Sequence, residues 1–362
     1  MTAVGVAIIG TGQIALANHL PGLKLLPGAK LVALCDSDES VLRRAAEQTG
    51  IRATFTDYNE LLQHDAVDAV VIATPNITHP PIAIAAAKAG KHVMCEKPLA
   101  LNLSDALAML RAAEEANVRH MTAFTYRFVP AMRYMHHLIS TGAIGGAYHF
   151  RAQRFQDWGD RGLGWRQVKA LAGTGEMGDM LSHRIDYAHL LIGPIRRLVA
   201  DVRTFVPTRA GNPSDVDDWV AMLADFGERD VTGVLESTKL ATGRGEGLRG
   251  QDTVEVNGSE GTIVYSTQKP LELQIGKKGD PDLHRIDVPR EFLVHPKSPR
   301  DASLGDPLVT FRYDQTAEFI DAIVNQRQCS PSFVDGARAQ GVMDVALQSA
   351  EQRCWMDVPQ VT

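Results

Sequence analysis

The stretch Lys91-His92-Val93-Met94-Cys95-Glu96-Lys97-Pro98 sets a carboxylate and an ammonium at the abrupt end of a short apolar run. Farther along, Gly178-Asp179-Met180-Leu181-Ser182-His183-Arg184-Ile185-Asp186 carries Asp179 and His183 at i, i+4, which puts both on one face of a helix. An imidazole can take a hydroxyl proton near neutral pH. An ammonium nearby favours its neutral form and stabilises a developing alkoxide. Together these groups suit the oxidation of an alcohol, in which a hydride leaves carbon while the hydroxyl gives up its proton. Taken singly, each has a plainer alternative: an ion pair at a strand end, and a polar pair on a helix surface. Asp179, His183 and Asp186 have no cysteine or second histidine placed to complete a metal site, so no metal is expected.

The elements around them decide between these readings. His92–Cys95 is expected as a buried strand between Gly90 and Pro98, with helical patterns on both sides, which indicates a parallel sheet. Ligands of such sheets bind outside the carboxyl ends of the strands, where Glu96 and Lys97 lie. Pro98 fixes its own φ and biases Lys97 towards extended backbone. Val4–Ile9 is an apolar run followed by Gly10-Thr11-Gly12-Gln13-Ile14-Ala15 and a helical pattern to about Leu25. That is the dinucleotide fingerprint with Ala15 as its third small residue, and Gly10, Gly12, Gln13 and Ile14 are the expected contacts to a pyrophosphate. The strand Leu31–Cys35 ends in Asp36, 24 residues beyond Gly12. A carboxylate there can accept from ribose hydroxyls and would repel a 2′-phosphate, so NAD is expected over NADP. Ser37 and Arg43 leave some room for NADP. Strands at 53–55, 69–73 and 119–123 and helices at 39–49, 58–63, 82–89 and 104–116, the last capped by Ser104, continue the alternation. Thr74, Pro75, Asn76 and His79 follow the strand at 69–73 and join the cofactor set. Six strands alternating with helices make residues 1–128 a doubly wound Rossmann domain.

After Phe128 the rhythm changes. A helix at 130–140 leads to strand-like residues 148–154, a loop with Trp158, Trp165 and Arg166, a glycine-rich approach at 173–178 and a helix at 179–191. Several antiparallel strands follow to Tyr265, residues 267–308 read as irregular, and helices at 316–325 and 335–352 close an α+β domain, 129–362. A hydrophobic content of 44%, a charged content of 22% and a net charge of −6 fit an ordinary globular enzyme and argue against nucleic acid as main partner. No apolar run reaches the ~20 residues of a membrane span, and no signal-peptide pattern opens the chain. Cys35, Cys95, Cys329 and Cys354 are far apart, without metal spacing. A cytoplasmic location is expected.

The glycine fingerprint, Cys95-Glu96-Lys97-Pro98 and the Asp179/His183 segment, in that order, resemble the Gfo/Idh/MocA (glucose–fructose oxidoreductase, inositol dehydrogenase, rhizopine) family over nearly the whole chain. Gln156-Asp157-Trp158, Trp165-Arg166 and Ala172-Gly173-Thr174-Gly175 look most like its levoglucosan-dehydrogenase-type members. The resemblance implies Lys97, His183 and Asp179 as catalytic residues. It also implies Trp165-Arg166 reaching the cofactor, and a second domain with a large open, mostly antiparallel sheet that mates subunits into dimers or tetramers. A carbohydrate substrate is expected to meet Lys97, Tyr126, Arg127, Gln156, Asp157, Trp158, Asp179 and His183. Trp158 would stack on a pyranose face, or else pack in the core. Arg127, Arg151, Arg154, Arg161 and Arg166 would suit an anionic sugar, or else be solvated loop charges. The expected activity is NAD-dependent oxidation of a ring hydroxyl of a sugar, anhydrosugar or cyclitol. The alternatives are a redox-neutral NAD-dependent glycosidase and a catalytically silent sugar sensor.

Overall fold

The computed structural model describes residues 3–362 apart from 160, 228–229 and 248–249. The chain groups into two compact units, Met1–Thr125 with Val294–Gly305 and Thr310–Ala337, and Tyr126–Leu293 with Asp306–Val309 and Arg338–Thr362. The expected division at residue 128 instead gave 294–305 and 310–337 to the second domain.

The first unit is built on a parallel sheet of β1 (Val4–Ile9), β2 (Ala29–Cys35), β3 (Thr54–Phe55), β4 (Ala69–Ile72), β5 (His92–Cys95) and β6 (His120–Thr122), in the order β3-β2-β1-β4-β5-β6. β1 and β4 are entirely buried, as continuous apolar strands of a sheet covered on both faces must be. The order reverses between β1 and β4, and that is where a doubly wound sheet opens its crevice. The helix Glu39–Thr49 starts on Asp38, whose carboxylate accepts from Ser40 and Val41, and stops at Gly50 in the left-handed region. The helix His79–Lys88 begins earlier than its apolar pattern because Pro80 and Pro81 fit the first turn, where the missing N–H costs nothing. The cap of Leu103–Glu115 is Asn102, which accepts from Asp105 N at 2.9 Å, and not Ser104. An amide oxygen one position ahead of the first turn outcompetes a hydroxyl already inside it.

The later segments join this unit by specific bonds. Phe333 N donates to His120 Nδ1 at 3.0 Å, and Thr122 Oγ1 donates to Ser332 O at 2.9 Å. Arg300 pairs with buried Asp314, and Arg312 donates to Asn18.

The second unit carries a nine-stranded, mostly antiparallel sheet: β7 (Ala147–Phe155), β8 (Arg197–Arg203), β11 (Trp219–Asp225), β12 (Thr232–Thr238), β13 (Gln251–Gly258), β14 (Gly261–Ser266), β15 (Glu272–Lys277), β16 (His284–Asp287) and β17 (Met356–Asp357). Its order is β16-β15-β14-β13-β7-β12-β11-β8-β17, and a separate hairpin pairs β9 (Thr208–Arg209) with β10 (Asn212–Pro213). Only β7 and β12 run parallel. Alternate residues of β7, β12 and β13 are buried, so one face holds the core. Residues 267–308, expected to be irregular, contain β15 and β16. The charges of β16 misled because an edge strand exposes most of its side chains and is held by ladder bonds, not burial, whereas β15 inside the sheet buries Leu273 and Ile275.

Candidate active site

In the first unit, Gly10 follows β1 with φ +88°, and a Cβ there would lie 2.6 Å from Ala73 O. Only glycine makes this turn between the ends of β1 and β4. A Cβ on Gly12 would meet nothing within 4 Å, so the backbone is open to an incoming phosphate group. Gln13 and Ile14 lead into a wider, π-type turn, Ala15–His19, and then the helix Leu20–Leu25. Asp36 accepts from Thr11 N at 2.8 Å, Thr11 Oγ1 at 3.1 Å and Asp38 N at 3.1 Å. A carboxylate offers about four acceptor positions, so capacity remains for a hydroxyl. Ser37 beside it is exposed.

The corner after β5 is braced from two sides. Glu96 accepts from His19 Nε2 at 2.8 Å, and Lys97 N reaches Glu96 Oε2 at 3.3 Å. Burial opposes charge on Glu96, yet the His19 hydrogen bond and the charges of His19, Lys97 and His79 hold its carboxyl below the ordinary value. His79 is fully buried, with Nε2 3.0 Å from Thr74 O and Nδ1 3.0 Å from Pro98 O. It joins the Thr74-Pro75-Asn76 turn to the Lys97 corner and exposes nothing to a ligand. Lys97 is half-buried, and its peptide bond to Pro98 is cis. Cys35 and Cys95 are buried strand ends; burial pushes the Cys35 thiol up to about 12 and raises Cys95 as well, as for core thiols.

In the second unit, Asp217 organises the approach to the Asp179/His183 helix. Its carboxylate accepts from Gly175 N at 2.6 Å and Met177 N at 2.8 Å, and its carbonyl accepts from Glu176 N at 3.0 Å. A Cβ on Gly175 would fall 2.0 Å from Asp217 O, so glycine is required for this approach. Met177–Leu181 forms a π-type turn that runs into the helix Ser182–Leu191. Asp179 is half-buried and His183 is buried, with its ring edge-on to Tyr126 at 4.5 Å between centroids. The next residue, Arg184, is wholly buried and paired with Asp252 of β13, and it also donates to Met180 O at 2.8 Å. This pair fixes the rotation of the helix, and hence the direction of Asp179 and His183.

The remaining expected ligands divide. Arg127 forms a bidentate pair with Asp186, at 2.8 and 2.5 Å. Gln156 is fully buried and accepts from Arg154 Nη2 at 3.0 Å, so it belongs to the interior of the sheet end. Asp157 Oδ2 accepts from Gly243 N at 2.8 Å, which ties it to a neighbouring loop. Trp158 is half-buried, donates through its backbone N to Lys239 O at 2.7 Å, and has the Arg161 guanidinium 4.4 Å from its ring. Trp165 and Arg166 lie on the tight turn Gly164–Gln167, with Arg166 4.4 Å from the Trp165 ring. Of the five arginines considered for an anionic sugar, Arg154 is buried beside Asp252 and Arg161 pairs with Glu246. Arg151 is exposed on β7. Sequence reasoning overlooked Glu176, Ser237 and Lys239, which are buried together, and the Asp217 brace. Glu176 stands three residues before Asp179, a helical spacing that could have been read.

Residues 4–124 match the Gfo/Idh/MocA oxidoreductase family, NAD-binding Rossmann fold, and residues 132–264 match the C-terminal domain of that family. The chain is 32% identical, over the full length of both proteins, to levoglucosan dehydrogenase from Pseudarthrobacter phenanthrenivorans. The chain belongs to the Gfo/Idh/MocA family. A second family member, myo-inositol 2-dehydrogenase from Thermotoga maritima, is 32% identical over 76% of this chain and 80% of its own. A solved structure of levoglucosan dehydrogenase in complex with NADH and levoglucosan superposes with a TM-score of 0.90 at 31% identity, covering 99% of this chain and all of that one. The chain is therefore an NAD-binding oxidoreductase by family. Among the described residues, no helix is long and apolar enough to cross a membrane, and no group of three acidic, histidine or cysteine side chains could hold a metal.

Proposed function

We propose that the protein is an NAD-dependent dehydrogenase that oxidises a ring hydroxyl of a sugar, anhydrosugar or cyclitol. The observation that carries this reading is the placing of Asp179, on the π-type turn, four residues before His183, on the helix whose rotation is fixed by Arg184 and Asp252, in a chain that also keeps Lys97 on its braced corner. The full-length likeness to levoglucosan dehydrogenase supports the substrate class.

The residues fit the dinucleotide. Gly10 and Gly12 leave backbone bare where a pyrophosphate would lie, the turn after them presents N–H groups, and Asp36 keeps acceptor capacity for a ribose. When bound, NAD supplies the hydride acceptor. His183 takes the hydroxyl proton, Lys97 stabilises the developing alkoxide, and Asp179 holds a hydroxyl and orients the sugar. Trp158 offers its ring to a pyranose face, with Tyr126 and Arg127 contributing to the pocket. Asp36 favours NAD over NADP. The expected assembly is a homodimer or homotetramer through the open face of the nine-stranded sheet, where Leu223 is 49% exposed. Four free thiols suit a reducing, cytoplasmic setting.

The test is a panel of free sugars, anhydrosugars, cyclitols and glycosides with NAD, recording NADH absorbance and glycoside cleavage in parallel. NADH accumulation on a free polyol or anhydrosugar is the expected result. Cleavage without net NADH would replace this reading by a redox-neutral glycosidase.

A further inference from the structure

Glu176 lies three residues before Asp179, at the start of the turn that carries it, and neither its side chain nor those of Ser237 and Lys239 reach solvent to any extent. Ser237 Oγ is in short contact with Glu176 Oε1 and also 3.2 Å from Arg154 O. Glu176 Oε2 has no hydrogen-bond partner among the described residues.

The protons in this cluster can be counted. Serine has one hydroxyl hydrogen. If Glu176 is ionised, that hydrogen faces two acceptors, the carboxylate and the Arg154 carbonyl, and can serve only one. A buried carboxylate oxygen is then left bare, which is costly. If Glu176 is protonated, Oε1–H donates to Ser237 Oγ, and Ser237 donates onward to Arg154 O. The chain of bonds then closes on Arg154 O, and the oxygen that stays without a partner, Oε2, is a neutral carbonyl, less costly to bury than a carboxylate oxygen. The charges facing Glu176 are Lys239 and Arg154, which favour ionisation, and Asp179, which opposes it. Asp217 accepts from Gly175 N and Met177 N on the same turn. Burial is the largest influence, and it raises the carboxyl to about 7.

We propose that Glu176 is a proton-holding positioning residue. Its neutral carboxyl fastens the start of the Asp179/His183 helix to β12 and β7 through Ser237 and Arg154 O, and its ionisation sets the upper pH limit of turnover. Ionisation places a second carboxylate one turn from Asp179 and takes the Ser237 hydrogen away from Arg154 O, so the link onward to β7 is lost and the two charges repel on the turn that carries Asp179. The effect on turnover rests on the dehydrogenase reading above; the proton on Glu176 does not.

The experiment compares the wild type with Glu176→Gln, which keeps the shape and can donate to Ser237 but cannot ionise. Turnover is followed from about pH 6 to pH 9 on the substrate found by the panel, and infrared spectra of the holoenzyme are recorded over the same range. The expected result is turnover within about threefold at the acid end, and a wild-type rate that falls about tenfold or more relative to Glu176→Gln at the alkaline end, where the neutral fraction has dropped about a hundredfold. The wild type should show a protonated-carboxyl band at low pH that fades on raising it and is missing from Glu176→Gln. Parallel pH–rate profiles would overturn the role in turnover. Absence of the band overturns the whole proposal, because Glu176 would then work as a carboxylate. If the panel yields no substrate, the function reading fails while the infrared band still decides the proton.

Discussion

The Glu96 carboxylate accepts a hydrogen bond from His19 Nε2 at 2.8 Å, so the residue just before Lys97 is tied to the turn that follows the glycine fingerprint. His19 is wholly buried and the Glu96 side chain is 17% exposed. With His79 between the Thr74 and Pro98 carbonyls, this makes the Lys97 corner a braced part of the cofactor-binding unit. Glu96 and His79, both expected to touch the cofactor, also brace this corner.

This bracing separates chemistry from folding at Lys97. Lys97→Met should leave NAD affinity nearly unchanged and reduce turnover about a hundredfold or more, the loss of one transition-state charge contact worth roughly 3 kcal/mol. Dinucleotide titration and steady-state rates on the same preparation check it. Collapse of NAD binding with an unchanged rate per bound cofactor would make Lys97 a cofactor ligand instead.

Asp36 has two duties, since it also accepts from Thr11 N and Oγ1. Titration should show tighter NAD than NADP binding in the wild type. Asp36→Ala should narrow that gap and weaken NAD as well, because the glycine turn loses its brace. Equal affinities in the unaltered protein would sink the claim.

For His183, the acid limb of the oxidation rate should rise with pH through one ionisation, before the alkaline fall assigned to Glu176, because only neutral imidazole can accept the hydroxyl proton. His183→Asn should lose both the rate and that ionisation, whereas Asp179→Asn should mainly weaken sugar affinity. A profile for His183→Asn that keeps the original ionisation would move the base to Lys97.

The pair of Arg184 and Asp252 is completely buried, with Arg154 beside it. Asp252→Asn leaves a guanidinium without its counter-charge and should cost about 3–5 kcal/mol of stability. Urea unfolding monitored by circular dichroism measures this. A change under about 1 kcal/mol would mean that Arg184 finds another partner.

His120 predicts acid sensitivity. Its Nδ1 accepts from Phe333 N, so the ring must be neutral there, and burial and then Arg119 push its pKa down to about 4. A histidine depressed on folding contributes stability that is present above its ordinary value of 6.5 and lost as pH falls through about 4. The full loss is about 3 kcal/mol. His120→Asn should flatten the pH dependence of unfolding in that window, and identical slopes for both proteins would rule the assignment out.

Local pattern was enough to read the parallel sheet, its glycine turn, Asp36 at the end of β2 and the strand that stops at Glu96-Lys97-Pro98. Each of these is local: an apolar run, a glycine that must adopt positive φ, a proline that limits its neighbour. It also brought out the four-residue spacing of Asp179 and His183, which the structure carries on a π-type turn and the helix that follows it. Which charges face inward depends on how distant segments meet. Arg154, Arg184 and Asp252 look like solvated loop and helix charges in a linear reading, yet are completely buried, because their partners come from strands and helices far away in the chain. The same holds for 310–337, which packs into the first unit through bonds to His120 and Thr122. It holds too for Glu176, whose proton depends on Ser237, 61 residues away. Burial and pairing are set by the meeting of distant segments, and no local pattern encodes that meeting.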